Sequence, residues 1–178
     1  MVGRLIPLKR PLEVVDAFLE FNKKYSKSRL ILLGDGKSSY KEILIERKQS
    51  DNLSGEKIEL IPAVKKVEDY YNLASLYIHN SEREGSPNTL VEAMASGLPI
   101  VTTNVGDISF YVDEHKFEYW INDDKLSSIF FQLEKVIQLD EQERRELGQL
   151  NYERIHKKLS CDYQKMVESH SKIYGINS

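Results

Sequence analysis

Apolar runs of strand length alternate with amphipathic segments of helix length from the start of the chain to about Asn122. This alternation is typical of a parallel sheet whose strands are joined by crossover helices. The apolar runs are short and continuous, which indicates strands that are covered on both faces. The sequence therefore predicts an α/β fold with a Rossmann-like, doubly wound parallel sheet.

The same pattern gives the expected positions of the elements. Strands are predicted at residues 29–33, 57–61, 75–79, 99–103 and 117–121. Helices are predicted at residues 11–25, 39–50, 67–73 and 88–96. Beyond residue 124 the pattern becomes wholly helical, and C-terminal helices are expected at residues 124–138, 141–158 and 161–174. In the last of these, an apolar stripe between Tyr163 and Tyr174 predicts a docking face.

Composition narrows the class of protein. A chain of 178 residues suits a single domain, so residues 1–178 are interpreted as one unit. A net charge of -3 and a pI near 5.9 argue against binding to DNA or RNA, because phosphate contacts need a dominant basic surface. Cys161 is the only cysteine, so an internal disulfide and a cysteine metal cluster are excluded.

The sequence also indicates where in the cell the protein is expected. No apolar stretch approaches the ~20 residues that a membrane-spanning helix needs, and the first residues do not form a signal peptide. A cytoplasmic protein is therefore expected.

The unusual residue clusters all follow predicted strands. They are residues 3–11, 34–36, 62–63, 81–86 and 104–107. In an open parallel sheet the ligand crevice lies beyond the carboxyl ends of the strands, so these clusters are expected to line one edge. Arg4 and Lys9 come from the first cluster and provide two cations that suit a diphosphate. Only Met1 and Val2 precede Gly3, so the first strand looks shortened at its beginning.

The helix predicted at residues 88–96 begins abruptly after a loop. Ser86 is a good N-cap residue and Pro87 fits the first helical position. The next backbone N–H groups, of Asn88, Thr89 and Leu90, are then expected to point unpaired out of the helix start. Such a helix end favours an anion, typically a phosphate.

Two glutamates flank this helix start. Glu84 lies in the loop, and Gly85 next to it permits a close approach of the backbone to a ligand. Glu92 lies on the second turn of a helix that is otherwise apolar nearly all round, so it is expected to be a carboxylate in need of a partner. A diol on a sugar beside the phosphate would suit Glu92, and hydroxyls of a second sugar across the diphosphate would suit Glu84. Together these residues predict a nucleotide-sugar site.

The sequence resembles the C-terminal, donor-binding half of retaining glycosyltransferases of family four in the GT-B class. The matching stretches are residues 2–5 with Lys9, residues 30–36, and residues 84–99 followed by Val101, Val105 and Gly106. Arg10 differs from the family, which often has a glycine after the lysine.

The resemblance implies a role for each matching residue. Arg4 and Lys9 would hold the donor diphosphate, Glu84 would contact the donor sugar, and Glu92 would contact the ribose. Arg4, Lys9 and Glu84 are the catalytic candidates. The remaining binding candidates are Gly34, Ile61, Pro62, Gly85, Ser86, Pro87, Asn88, Thr89 and Leu90, of which Ile61 and Pro62 would meet the base.

The resemblance also implies the reaction. A sugar would pass from a UDP- or GDP-sugar to an acceptor hydroxyl with retention of anomeric configuration, without a metal ion or other cofactor. The acceptor, a saccharide or glycolipid, would bind an N-terminal domain that this chain lacks, so the chain alone is expected to be inactive. The full-length enzyme would associate with the inner face of a membrane at most peripherally, and polysaccharide biosynthesis is the expected setting.

Two alternatives stay open from the sequence. The chain could be a module that binds a nucleotide sugar without catalysis, or a sugar-nucleotide epimerase of related fold. The histidines at positions 79, 115, 156 and 170 do not match the family's histidine near the reacting sugar, and each is interpreted as a surface or packing residue.

Overall fold

A computed structural model describes residues 1–112, 117–122 and 125–174, with the side chains of residues 161–174 excepted. The parallel strands are β1 (Leu30–Leu33), β2 (Ile58–Ile61), β3 (Tyr77–His79), β4 (Ile100–Thr103) and β5 (Trp120–Ile121). The helices are α1 (Pro11–Lys24), α2 (Ser38–Gln49), α3 (Asn52–Gly55), α4 (Glu68–Leu73), α5 (Asn88–Ala95), α6 (Ile108–Tyr111), α7 (Leu126–Ile137) and α8 (Glu141–Tyr174), and a 3₁₀ turn spans Pro7–Lys9. The predicted α/β class with a parallel sheet is confirmed.

The strands form two hydrogen-bonded groups. Strand β1 pairs with β2, and β4 lies between β3 and β5, all in parallel. The short segment before Gly3 relates the two groups, because Val2 forms a parallel bridge with Leu33 and its carbonyl oxygen lies 3.3 Å from the Tyr77 hydroxyl of β3. Met1 and Val2, the stub of the shortened first strand that the sequence predicts, therefore lie beside β1.

Burial follows the predicted pattern. The apolar positions of α1 that the helical spacing selects, Val14, Val15, Phe18 and Phe21, are all buried. They belong to a core shared with β1 and α7, and a second core surrounds α5, β4 and α6. The two cores hold the carboxyl ends of the strands at one edge of the fold.

Some boundaries differ from the sequence prediction. Strand β5 is shorter than residues 117–121, and α3 and α6 occupy segments to which the sequence pattern assigns no element. The two helices predicted at 141–158 and 161–174 are one continuous helix, α8, because Leu159 and Ser160 between them continue the helical hydrogen bonding. The prediction of a docking face between Tyr163 and Tyr174 concerns side chains outside the described residues.

Arg10 takes a left-handed backbone conformation, with φ 50° and ψ 45°, between the 3₁₀ turn and α1. Residues with a Cβ rarely adopt this conformation, whereas glycine does so without cost. The glycine that the family often has at this position therefore has a conformational reason. No helix in the part of the chain that the structure describes is long and apolar enough to cross a membrane.

Candidate functional site

The loops at the carboxyl ends of the strands are joined to one another by backbone hydrogen bonds. The Gly3 N–H donates to Leu33 O at 2.9 Å, and the Gly34 N–H donates to Ile61 O at 2.8 Å. The Glu82 N–H donates to Leu8 O, also at 2.9 Å. The loops after the stub, β1, β2 and β3 therefore form one continuous rim, as the sequence predicts.

Two glycines allow this close packing. A Cβ on Gly34 would lie 1.9 Å from Gly3 O, and a Cβ on Gly106 would lie 2.3 Å from Glu84 O. Both residues also have positive φ, 143° and 57°, which favours glycine. The structure thus gives Gly34 a packing role that holds the segment leading to Arg4 against β1.

Glu84 is the centre of a compact polar cluster. Its side chain is only 7% exposed, and its Oε1 atom forms an ion pair with Lys9 Nζ. The same oxygen accepts a hydrogen bond from Ser81 Oγ at 2.6 Å and lies 2.9 Å from His79 Nε2. The structure therefore brings together the predicted residues Lys9 and Glu84, which lie 75 positions apart in the sequence.

These contacts fix the ionisation of Glu84. Burial acts to raise its pKa, because a charged carboxylate loses hydration inside the protein. The contacts from His79, Lys9 and Ser81 outweigh burial and lower the pKa of Glu84 to about 2. The carboxylate is therefore ionised throughout the physiological range and can accept hydrogen bonds from ligand hydroxyls.

Sequence reasoning missed the role of two members of this cluster. His79 was interpreted as a surface or packing residue, whereas its side chain is 4% exposed and faces Glu84. Ser81 was named only as part of the loop after β3. A usable signal was present, because His79 is the last residue of a predicted strand and such residues lie at the ligand edge of a parallel sheet.

The start of α5 differs from the prediction. Pro87 has φ -84° and ψ 60°, so it stands before the helix rather than at its first position, and Ser86 gives no side-chain cap. The Asn88 N–H donates to Ser86 O at 3.0 Å, and the Leu90 N–H donates to Pro87 O at 2.9 Å. The prediction that Asn88, Thr89 and Leu90 all present unpaired amides is therefore wrong for Asn88 and Leu90.

Glu92 is exposed, while Leu90, Ala93 and Met94 of the same helix are buried. It does have a protein partner, since Tyr71 donates a hydrogen bond to Glu92 Oε2 at 2.9 Å. The same hydroxyl lies 3.2 Å from the carbonyl oxygen of Thr89. Tyr71 therefore fixes Glu92 relative to the first turn of α5.

Replacing Tyr71 with Phe tests this arrangement. The change keeps the ring packed against Tyr77, at 5.8 Å between centroids, and removes only the hydroxyl. We expect the free energy of unfolding to fall by about 1 kcal/mol, the usual net value of one hydrogen bond. Urea unfolding measures it, with Tyr152→Phe on the exposed face of α8 as the matched control. A loss equal to that of the control would contradict a structural hydrogen bond at Tyr71.

The other predicted residues occupy the same rim. Arg4 is exposed, and its side chain makes no hydrogen bond or ion pair with any residue that the structure describes. Tyr77 connects this region to α5, because its hydroxyl lies 2.9 Å from Thr89 Oγ1 as well as near Val2 O. Ile61 is half-buried at the end of β2, Pro62 next to it is exposed, and Gly85 is exposed beside Glu84.

Among residues 1–112, 117–122 and 125–160, no group of three or more His, Cys, Asp or Glu side chains is arranged to hold a metal ion.

The chain is similar to several curated proteins. It is 31% identical over 125 residues to alpha-monoglucosyldiacylglycerol synthase of Acholeplasma laidlawii, which covers 68% of this chain and 30% of that protein. It is 28% identical over 171 residues to the capsular polysaccharide biosynthesis glycosyltransferase CapM of Staphylococcus aureus, which covers 89% of this chain and 41% of that protein. The chain therefore spans less than half the length of either relative.

Solved structures share the fold. HepE of Anabaena in complex with UDP matches 96% of this chain and 48% of its own, with a TM-score of 0.82 and 18% identity. The C-terminal domain of LpcC, a glycosyl transferase group 1 family protein from Francisella tularensis, matches with a TM-score of 0.78 and 20% identity. That match covers 89% of this chain and 84% of the LpcC domain.

A family profile matches residues 1–154, which include every residue of the candidate site. The resemblance to glycosyltransferases stated from the sequence is thereby confirmed. The chain belongs to the glycosyl transferases group 1 family.

Proposed function

We propose that this chain binds the nucleoside-diphosphate sugar of a retaining glycosyltransferase and supplies the donor half of its active site. The observation that carries this proposal is the meeting of Lys9 and Glu84 at the rim that also bears Arg4 and the start of α5. A cation for the diphosphate and an ionised carboxylate for the sugar then lie side by side. A donor in which the phosphate and the sugar adjoin needs such a pair of neighbouring groups.

Different residues bind the different parts of the donor. Arg4 and Lys9 bind the diphosphate, Glu84 accepts hydrogen bonds from sugar hydroxyls, and Glu92 accepts them from the ribose. The rim at Ile61 and Pro62 receives the base. The exposed position of Glu92 suits a ligand diol, because an exposed carboxylate can take a new partner without uncovering the core.

Charge development explains the catalytic use of this site. When the bond between sugar and phosphate breaks, negative charge grows on the diphosphate leaving group. Arg4 and Lys9 stabilise that charge in the transition state more than in the bound donor. Two side-chain cations of this kind take the place of a divalent ion, so we propose transfer without a metal.

Lys9 can keep its contact with Glu84 when the donor binds. Its ammonium group has three N–H donors, and the Glu84 contact uses one of them. The side chain is 19% exposed, so the remaining donors can reach a diphosphate oxygen at the rim. Lys9 thus connects the phosphate and sugar parts of the site.

The acceptor would bind outside this chain. The names of the two curated relatives refer to a glucosyldiacylglycerol and to a capsular polysaccharide, which supports a glycolipid or saccharide acceptor. Because this chain matches only 30% and 41% of those proteins, we propose that transfer requires an additional acceptor-binding domain. The alternatives are a module that only binds the nucleotide sugar and a sugar-nucleotide epimerase. An epimerase would convert the donor in the absence of an acceptor, which product analysis with the donor alone detects.

Removing either cation tests the proposal. We expect Lys9→Ala and Arg4→Ala each to weaken the binding of UDP or GDP at least tenfold, because a charge-assisted contact to phosphate is lost. Isothermal titration calorimetry with both nucleotides measures the effect. Lys27→Ala is the matched control, since Lys27 is exposed in the loop before β1, at the opposite edge of the sheet. Equal affinity of Lys9→Ala, Arg4→Ala and the control would refute the proposed roles.

A further inference from the structure

The three contacts of Glu84 fall on one of its two carboxylate oxygens. Lys9 Nζ, Ser81 Oγ and His79 Nε2 all approach Oε1. Oε2 has no hydrogen-bond partner among the residues that the structure describes, and it is not enclosed by the core. One oxygen is therefore anchored to the protein, while the other is available to a ligand.

The three residues that contact Oε1, here called its anchors, differ in rigidity. Lys9 reaches Glu84 with a long, flexible side chain from the 3₁₀ turn. His79 ends β3, and its ring packs 6.3 Å from the ring of Tyr77, which is itself held by contacts with Val2 and Thr89. Ser81 is buried two residues further on, and its carbonyl oxygen accepts a hydrogen bond from Thr103 Oγ1 at 2.8 Å. The two anchors from the β3 end are therefore fixed by the core.

His79 has a free bonding capacity that suits this task. Its Nε2 atom is buried and makes no aligned hydrogen bond within the described part of the chain, although Glu84 Oε1 lies only 2.9 Å away. A buried polar atom without a partner is costly, and the nearest acceptor is the Glu84 carboxylate.

We propose that His79, together with Ser81, is a positioning residue that holds Oε1 of Glu84 and so presents Oε2 to the hydroxyls of the donor sugar. When Lys9 shares its ammonium group with the diphosphate, His79 and Ser81 keep the carboxylate in place. This inference rests on the proposed function, because it assigns the sugar contact of the same site. It predicts that His79 affects recognition of the sugar and not of the nucleotide.

The test compares a nucleotide with its sugar conjugate. Calorimetry measures the affinity of each variant for UDP and UDP-glucose, and for GDP and GDP-mannose. We expect His79→Leu to reduce the ratio of sugar-conjugate affinity to nucleotide affinity by about tenfold, with the affinity for the nucleotide alone unchanged. His79→Gln, which keeps an N–H donor, is expected to restore much of the ratio. His156→Leu removes an exposed histidine of α8 and serves as the matched control.

A double-mutant cycle separates positioning from general packing. If His79 acts through Glu84, His79→Leu changes the ratio in the wild-type background and leaves it unchanged in a Glu84→Gln background. Ser81→Ala removes the second anchor with little change in core volume and keeps the inference testable where His79→Leu does not fold. It is expected to lower the same ratio.

The outcomes distinguish the two proposals. If the wild-type chain binds none of the four ligands, the proposed function fails and the role of His79 fails with it. If the wild type prefers a sugar conjugate and neither His79→Leu nor Ser81→Ala alters that preference, the donor site stands and the positioning role is overturned. Equal losses for UDP and UDP-glucose would likewise overturn it, since a merely structural histidine would affect both.

Discussion

Replacing Glu84 with Gln is expected to lower the free energy of unfolding by about 3 kcal/mol at neutral pH, and by much less in acid. The reason is the lowered pKa of Glu84, about 2 in the folded chain against an ordinary value of 4.5. The folded state then binds the proton less readily than the unfolded state. Ionised Glu84 stabilises the fold fully above pH 4.5, and this stabilisation is lost as the pH falls toward 2.

Urea unfolding of both proteins between pH 7 and pH 3 measures this effect. The difference in free energy between wild type and Glu84→Gln is expected to shrink by about half or more over that interval, because protonated glutamate and glutamine are both neutral. Glu82→Gln is the matched control, since Glu82 is two residues away and its side chain is 47% exposed. We expect the control to stay within about 0.5 kcal/mol of wild type at every pH. A difference for Glu84→Gln that does not vary with pH would contradict the ion-pair cluster.

The fold could be predicted from the sequence because its strongest signals are local. The run Leu30–Leu33 is apolar at every position, and α1 opens with a proline and repeats apolar residues at helical spacing. Such patterns depend only on which faces of an element are buried, so they can be recognised without knowing which elements pack against it. The division of the sheet into two hydrogen-bonded groups depends on long-range pairing, which no local pattern contains.

The residues of the candidate site could be predicted from the sequence, but the contacts between them could not. Arg4, Lys9, Glu84 and the start of α5 were all expected at one edge, since parallel strands place their carboxyl ends together. The ion pair of Lys9 with Glu84 joins two loops, so it depends on their folded paths. The helix begins at Asn88 as predicted, but its N-cap is Pro87 and not Ser86, because the backbone of Pro87 is not helical although proline is common at a first helical position.

Exposure was the harder property to predict. The apolar residues around Glu92 predict a helix that is covered on most sides, but such a pattern does not reveal how far the neighbouring elements extend over the helix. In the structure Leu90, Ala93 and Met94 are covered, and the face with Glu92 is open. His79 shows the opposite case, because its place at a strand end indicates the ligand edge of the sheet but does not give its distance from Glu84, five residues later.

The close contact of Gly34 with Gly3 gives the second prediction. Gly34→Ala is expected to lower the free energy of unfolding by about 3 to 5 kcal/mol, which combines backbone strain with overpacking. The φ of 143° is unfavourable for any residue with a Cβ, and the new Cβ would meet Gly3 O at 1.9 Å. Because that oxygen is backbone, relief requires the stub and β1 to separate. The hydrogen bonds from Gly3 N to Leu33 O and from Leu33 N to Met1 O would then be strained.

Thermal unfolding of Gly34→Ala is the appropriate measurement. A loss of this size in a chain of 178 residues lowers the melting temperature by about 10 °C. Gly85→Ala is the matched control for stability, because a Cβ at Gly85 would meet no atom within 4 Å. Since Gly3 directly precedes Arg4, the folded fraction of Gly34→Ala is also expected to bind UDP or GDP more weakly than wild type. Equal melting temperatures for the two variants would show that the rim tolerates a displaced stub, and the positioning of Arg4 by Gly34 would have to be abandoned.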